Sequence, residues 1–152
     1  MSGPRKTAIV TGASQGIGAG IVKGFVERGF NVVTNSRKIA QSTEVAASEQ
    51  VALVDGDIGE PATAAKIVDT ALSRFKSIDV LVNNAGIFFS KPFTDYTAED
   101  FRSLVSTNVE GFLYVTQLSI KQMLAQKTGG SIVTITAALA SNPIRGVTAA
   151  VP

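Results

Sequence analysis

The chain has 152 residues, about the size of one domain, and 45% of them are hydrophobic, enough to build a core. It contains no cysteine and no histidine, which excludes disulfides, cysteine nucleophiles, zinc thiolate sites, His-ligated metals and Ser-His-Asp triads. We therefore expect no metal site. The net charge is +2 and Lys and Arg are scattered, so we expect no nucleic-acid partner. No apolar run approaches about 20 residues, so we expect no membrane span and a cytoplasmic location.

The first predicted element is a strand over Thr7–Thr11, which runs into Gly12, Gly16 and Gly18. An amphipathic helix over Gly16–Arg28 follows at once. A strand, a glycine turn and a helix start in this order form a phosphate cradle, because turn N–H groups and the helix dipole both attract an anion. A tight turn without a ligand is the alternative, since the G-x-x-x-G-x-G spacing differs from the commoner G-x-G-x-x-G fingerprint.

Strand-like and helix-like segments alternate along the rest of the chain. The further predicted strands are Asn31–Thr34, Val51–Val54, Ile78–Val82 and Ser131–Thr136. The further predicted helices are Lys38–Ala47, one that begins at Pro61 and carries Val68, Ala71, Leu72 and Phe75, and a long one from a Thr97/Asp100 capping box to about Gln126. This alternation predicts an α/β fold, a doubly wound parallel sheet forming a single domain over residues 1–152, with a loop over Ser141–Pro152.

Ligands of such sheets bind beyond the carboxyl ends of the strands. The residues that directly follow each predicted strand are therefore the candidate site. After the glycine turn these are Asn35-Ser36-Arg37-Lys38, Asp57-Ile58, Asn83-Asn84-Ala85-Gly86 and Thr136-Ala137-Ala138.

Taken together, these motifs resemble the short-chain dehydrogenase/reductase family over nearly the whole chain. The motifs that carry the resemblance are Thr11-Gly12-x-x-x-Gly16-x-Gly18, Asp57, Asn83-Asn84-Ala85-Gly86 and Asn108. The resemblance implies a Rossmann-type fold, a nicotinamide dinucleotide cofactor, and hydride transfer to or from an alcohol or ketone as the small-molecule substrate.

The resemblance also implies a role for each matching residue. Asp57 would accept a hydrogen bond from the adenine amino group, and Asn108 would be the catalytic residue that holds a relay water by kinking its helix. Read alone, Asp57 can equally cap a turn, and Asn108 can be a solvated helix residue. The implied cofactor-binding residues are Thr11, Gly12, Ser14, Gln15, Gly16, Ile17, Gly18, Arg37, Asp57, Ile58, Asn83, Asn84, Ala85 and Gly86.

The residues after the second strand favour NADP(H) over NAD(H). A carboxylate there would bind the ribose 2′-hydroxyl of NAD, but the matching position is the neutral Ser36, followed by Arg37 and Lys38. A guanidinium can hold a 2′-phosphate with two hydrogen bonds. A solvated helix start at Arg37 is the alternative, and Gln15 weakens the preference, because NADP-preferring relatives often have a basic residue there.

The family's catalytic serine and Tyr-x-x-x-Lys pair have no match. Ala137 falls at the serine position, with Thr136 beside it and Ser141 further on, and neither Tyr96 nor Tyr114 has a lysine four residues later. We therefore expect the chain to be truncated after its fifth strand, as a fragment or as a natural short relative, and to be inactive alone. An unpaired fifth strand and the long helix also predict a homo-oligomer. A catalytically inactive nucleotide-binding module is the alternative function.

Overall fold

A computed structural model of the chain describes residues 4–138 and Asn142, so most of the predicted loop over Ser141–Pro152 lies outside the described residues. The strands are β1 (Thr7–Thr11), β2 (Asn31–Ser36), β3 (Val51–Asp55), β4 (Val80–Asn83) and β5 (Ser131–Thr134). The α-helices are α1 (Gly16–Glu27), α2 (Pro61–Phe75), α3 (Ala98–Val105) and α4 (Gly111–Ala125). Short 3-10 turns lie at Ile39–Gln41 and Phe93–Asp95, and a π-helical turn lies at Ser106–Glu110.

The five strands form one parallel sheet in the order β3-β2-β1-β4-β5. The chain runs outwards from β1 through β2 to β3, then returns to the other side of β1 for β4 and β5. Strand order therefore reverses between β1 and β4, and the crevice beyond their carboxyl ends is where such sheets bind ligands. The predicted doubly wound α/β fold is confirmed.

β1 lies at the centre of the sheet, and all five of its residues are buried. Because side chains alternate along a strand, β1 contributes to a separate core on each face. Ile9 packs with Ile67 of α2 and Val115 of α4. Val10 packs on the opposite face with Val22 of α1. Each face is thus covered by helices, which explains why the central strands are apolar on both sides.

The predicted helix over Lys38–Ala47 is wrong, because only Ile39–Gln41 forms a helical turn. Ser42 ends it by using its hydroxyl in place of helical hydrogen bonds. That oxygen accepts the N–H groups of Glu44 and Val45, both at 3.1 Å, and donates to a backbone carbonyl at 2.6 Å. Serine side chains compete with helices through such local bonds.

The long helix predicted to run to Gln126 is interrupted, although its predicted capping box is confirmed. The Thr97 hydroxyl accepts the Asp100 N–H, and the Asp100 carboxylate accepts the Thr97 N–H. The π-helical turn then separates α3 from α4, and within it the Gly111 N–H donates to Ser106 O, five residues back. Such π-bulges are frequent at functional sites.

The capping carboxylate predicts a pH effect on stability. Hydrogen bonds from the Lys91 ammonium, then from the Thr97 backbone and hydroxyl, lower the pKa of Asp100 from its ordinary 3.8 to about 2. A carboxyl whose pKa is lower in the folded state stabilises that state above pH 3.8, and this contribution disappears as the pH falls from 3.8 towards 2. Urea unfolding between pH 5 and pH 2 will show a smaller loss of stability in Asp100→Asn than in the wild type. Equal losses would contradict this.

The β5 side of the molecule exposes apolar side chains, as predicted for an edge strand. Within the described residues β5 pairs only with β4, and Ile132 and Val133, on opposite faces, are 40% and 46% exposed. On α4, Leu124 is 73% exposed. The predicted homo-oligomer stays a prediction. Over the described part of the chain, no helix has both the length and the apolar character to cross a bilayer.

Candidate dinucleotide-binding site

The turn between β1 and α1 packs tightly against the loop after β4. Gly12 has φ +63°, and a Cβ built there would lie 2.7 Å from the Ala85 Cα. Gly16 has φ +55°, but nothing lies within 4 Å of its built Cβ. A Cβ at Gly18 would approach the Gly12 carbonyl oxygen to 2.4 Å. The first and third glycines therefore permit close packing, and the middle one faces open space.

Hydrogen bonds also hold this turn against the loop after β4. The buried Thr11 hydroxyl accepts the N–H groups of Asn84 at 3.1 Å and Ala85 at 3.0 Å. In return, the Asn84 side-chain amide donates to the carbonyls of Thr11 and Gly12 at 3.0 and 2.9 Å. The residues in this network thus shape the turn, and the side chain of Asn84 is committed to it.

The crevice between the two loops is a cavity of about 650 Å³ at the carboxyl ends of the strands. Pockets of about 300–1,000 Å³ are typical of small-molecule and cofactor sites. The cavity wall combines glycine backbone, cationic side chains, one carboxylate and a few apolar side chains. It is lined by Gly12, Ser14, Gln15, Asn35, Ser36, Arg37, Lys38, Gly56, Asp57, Ile58, Ala85, Gly86, Ile87 and Thr107.

The cavity brings together most of the predicted cofactor residues. Those on its wall are Gly12, Ser14, Gln15, Arg37, Asp57, Ile58, Ala85 and Gly86. The predicted residues that do not line it are Thr11, Gly16, Ile17, Gly18, Asn83 and Asn84. Ile17 is 66% exposed, and Asn83 is buried, with its amide donating to the Thr116 hydroxyl at 3.0 Å.

Asp57 lies on the cavity wall and also caps the start of its loop. Its Oδ1 accepts the Gly59 N–H at 2.9 Å. The loop continues against the π-helical turn, because a Cβ at Gly59 would lie 2.2 Å from the Ser106 hydroxyl oxygen. The turn-capping alternative is therefore realised, on the same residue that lines the cavity.

Asn108 lies at the middle of the π-helical turn and does not line the cavity. Its Oδ1 accepts the Ile87 N–H at 2.9 Å, and its Nδ2 donates to Ile87 O at 3.0 Å. This two-bond contact ties the π-helical turn to the loop after β4. Ile87, the hydrogen-bond partner of Asn108, and Thr107, which precedes Asn108 in the sequence, both line the cavity.

The β2 side of the cavity is cationic, and an acidic side chain lies on the adjoining glycine turn. Arg37 and Lys38 line it beside Ser36. The glycine turn is held next to them, since the Ala13 N–H donates to Asn35 O at 3.0 Å. On the same turn, the Gly16 N–H donates to the Glu44 carboxylate at 3.2 Å.

Sequence reasoning missed Gly56, Ile87 and Thr107 as lining residues. Each directly adjoins a residue that the sequence does single out, namely Asp57, Gly86 or Asn108. That they are next to these residues in the sequence is the one signal that could have identified them as lining residues. The wall of the cavity is built from backbone as much as from side chains, which motif matching does not capture. Ala137 and Thr136 are both described and exposed, while Ser141 lies outside the described residues.

Comparison with known proteins agrees with this geometry. The family model for short chain dehydrogenase matches residues 6–149. The chain is 37% identical over 134 residues to an NADP-dependent (R)-specific alcohol dehydrogenase of Lentilactobacillus kefiri, covering 84% of this chain and 52% of that one. It is 38% identical over 136 residues to an L-rhamnose 1-dehydrogenase (NAD(P)(+)) of Sphingomonas sp. (strain SKA58), covering 86% and 54%.

Among solved structures, a 3-ketoacyl-(acyl-carrier-protein) reductase from Brucella melitensis complexed with NADH superposes with a TM-score of 0.88. It is 31% identical, over 95% of this chain and 62% of that one. The chain spans about half the length of the curated relatives it matches. The glycine turn, the parallel sheet and the match over residues 6–149 establish that the chain belongs to the short-chain dehydrogenase/reductase family.

Proposed function

We propose that this chain is the cofactor-binding portion of an oxidoreductase that transfers hydride between NADP(H) and an alcohol or ketone. The observation that carries the proposal is the cavity of about 650 Å³ at the strand ends, which is lined by the glycine turn together with Arg37 and Asp57. The similarity of the chain to an NADP-dependent alcohol dehydrogenase supports an alcohol or ketone as the substrate. The predicted cytoplasmic location is kept as part of this proposal.

The residues of the cavity suit a dinucleotide. Gly16 adjoins the cavity residue Gln15, and the open space there lets a phosphate approach the N-terminus of α1, whose dipole attracts anions. The Gly16 N–H itself is bonded to the Glu44 carboxylate, so the N–H groups that follow it would bind the phosphate. Asp57 places a carboxylate on the cavity wall, where it would accept a hydrogen bond from an adenine amino group. A bound nicotinamide would supply or accept the hydride.

Asn108 acts in this proposal by positioning other groups. Both polar atoms of its side chain are bonded to Ile87, so the side chain fixes the loop beside the cavity. The π-helical turn around it contains an i→i−5 hydrogen bond, and a carbonyl left without a helical partner there would accept a hydrogen bond from a water. This is how Asn108 would hold a proton-relay water in the whole protein.

Arg37 tests the cofactor preference. Arg37→Ala should weaken NADPH binding about tenfold, because a guanidinium forms charge-assisted hydrogen bonds to a phosphate, and should change NADH binding much less. Cofactor fluorescence titration measures both. The matched control is Arg102→Ala, an exposed arginine on α3 away from the cavity. If Arg37→Ala leaves the ratio of NADPH to NADH affinity unchanged, the preference for NADP(H) is wrong.

A catalytically inactive nucleotide-binding module is the second candidate function. Ala137, at the position of the family's serine, favours it, since alanine has no hydroxyl to steady a substrate oxygen. A screen of ketones and alcohols with NADPH separates the two. Binding together with turnover in the whole protein supports the oxidoreductase, and binding without turnover supports the module. Turnover by this chain alone would contradict its expected inactivity.

A further inference from the structure

The segment between β2 and β3 places a carboxylate at the N-terminus of α1. Glu44 Oε2 accepts the Gly16 N–H at 3.2 Å. The first turn of α1 contains no acidic residue of its own, and Gln15 makes no side-chain cap. Glu44 thus supplies, from a distant part of the chain, the negative charge that favours a helix N-terminus.

The position of Glu44 is set by its neighbours. The Ser42 hydroxyl donates to Ser14 O at 2.6 Å and accepts the Glu44 N–H at 3.1 Å. The next residue, Val45, is only 6% exposed and packs in the core with Val22 of α1. The backbone of Glu44 is therefore fastened to the glycine turn on one side and to the core on the other.

Glu44 does not line the cavity itself, but it is bonded to the turn that contributes Ser14 and Gln15 to the cavity wall. Its hydrogen-bond partner, Gly16, directly follows Ser14 and Gln15, which line the cavity, and the same turn is bonded to the end of β2 ahead of Arg37. The ribose 2′-substituent of a dinucleotide binds at the end of the second strand in such folds. Its phosphate would thus meet Arg37 and a negative charge from Glu44.

We propose that Glu44 is a specificity-determining residue that lowers the affinity of the cavity for the 2′-phosphorylated cofactor. This role of Glu44 rests on the proposed function, in which the cavity binds a nicotinamide dinucleotide. Repulsion between Glu44 and the diphosphate is common to both cofactors and cancels in the ratio of their affinities. The 2′-phosphate, which NADPH carries and NADH does not, adds a repulsion that lowers the affinity for NADPH further. Glu44 offsets part of the attraction between Arg37 and the 2′-phosphate, so the affinities for NADPH and NADH differ less than Arg37 alone would make them.

Glu44→Gln tests this, because glutamine keeps an acceptor for the Gly16 N–H but removes the charge. The dissociation constant for NADPH should fall about threefold at low ionic strength, as expected for charges separated by solvent, and that for NADH by much less. The gain should shrink at about 0.5 M salt, where charges are screened. Glu49→Gln, an equal charge change at an exposed position of the same segment, should alter neither constant.

A second variant and a stability measurement guard the interpretation. Glu44→Ala removes both charge and acceptor and should shift the NADPH to NADH ratio in the same direction, with thermal unfolding showing that both variants are folded. An equal gain for both cofactors, or no gain, overturns the role of Glu44. If the wild type binds neither cofactor, it is the proposed function that fails, so the two failures are distinguishable.

Discussion

Gly12→Ala is expected to destabilise the fold by about 2–5 kcal/mol and to remove dinucleotide binding. A residue with a side chain at φ +63° costs about 1–2 kcal/mol. Its Cβ would also lie 2.7 Å from the Ala85 Cα and 2.9 Å from the Ala85 nitrogen, so backbone must shift, which adds about 1–3 kcal/mol. Because domains are stable by only about 5–15 kcal/mol, this is a large fraction of the total.

Urea denaturation, with NADPH titration of the remaining folded protein, measures both effects of Gly12→Ala. The matched control is Gly20→Ala in α1, where a built Cβ meets nothing within 4 Å. That substitution should raise stability by about 0.5–1 kcal/mol, because alanine is the better helix former. If the two substitutions change stability alike, the close approach of the glycine turn to Ala85 is not a determinant of the fold.

Thr11→Val is the second change with a large expected effect, about 2–6 kcal/mol of lost stability. Valine has a similar shape but no hydroxyl, so the N–H groups of Asn84 and Ala85 both lose their acceptor. Each unsatisfied, partly buried N–H costs about 1–3 kcal/mol. The loop after β4 forms one wall of the cavity, so we also expect weaker NADPH binding by the folded variant.

Thr34→Val is the control that separates the effect of losing the hydrogen bonds to Asn84 and Ala85 from the effect of losing any buried hydroxyl. Thr34 is buried in β2, and among the described residues its hydroxyl bonds to one partner, donating to Ala52 O at 3.2 Å. This control should cost about 1 kcal/mol, the usual net value of one hydrogen bond, with NADPH affinity unchanged. Equal losses of stability in the two variants, or unaltered NADPH affinity in folded Thr11→Val, would show that the hydroxyl does not hold the loops together.

The sheet was predictable because each strand is short, apolar and followed by turn residues. All five predicted strands are present, with ends that differ by at most two residues from the predicted ones. The segment after β2 was not predictable from periodicity, because Ser42 satisfies Ser14 O across the chain as well as its own neighbours. The π-helical turn was likewise hidden, since Asn108 bonds to Ile87, which lies 21 residues earlier.

For the site, the motifs identified which loops meet at the cavity but not which side chains face it. Asp57 and Arg37 line it as predicted. Asn84 and Gly18 instead belong to the packing behind the turn, where a Cβ at Gly18 would lie 2.6 Å from the Asn84 amide nitrogen. Side-chain direction in these loops is decided by contacts between distant segments, so a single sequence leaves it undetermined. The role of each residue towards the cofactor stays a prediction.

The bond between Thr11 and Ala85 joins residues that are 74 positions apart. The chain loses the entropy of closing this loop before the contacts between its ends can stabilise it, and this slows folding. At typical synthesis rates, about 4–15 seconds separate the emergence of the two partners from a ribosome. During that interval the glycine turn of the nascent chain lacks the loop after β4, so the proposed cofactor site would be incomplete until β4 and its loop have been synthesised.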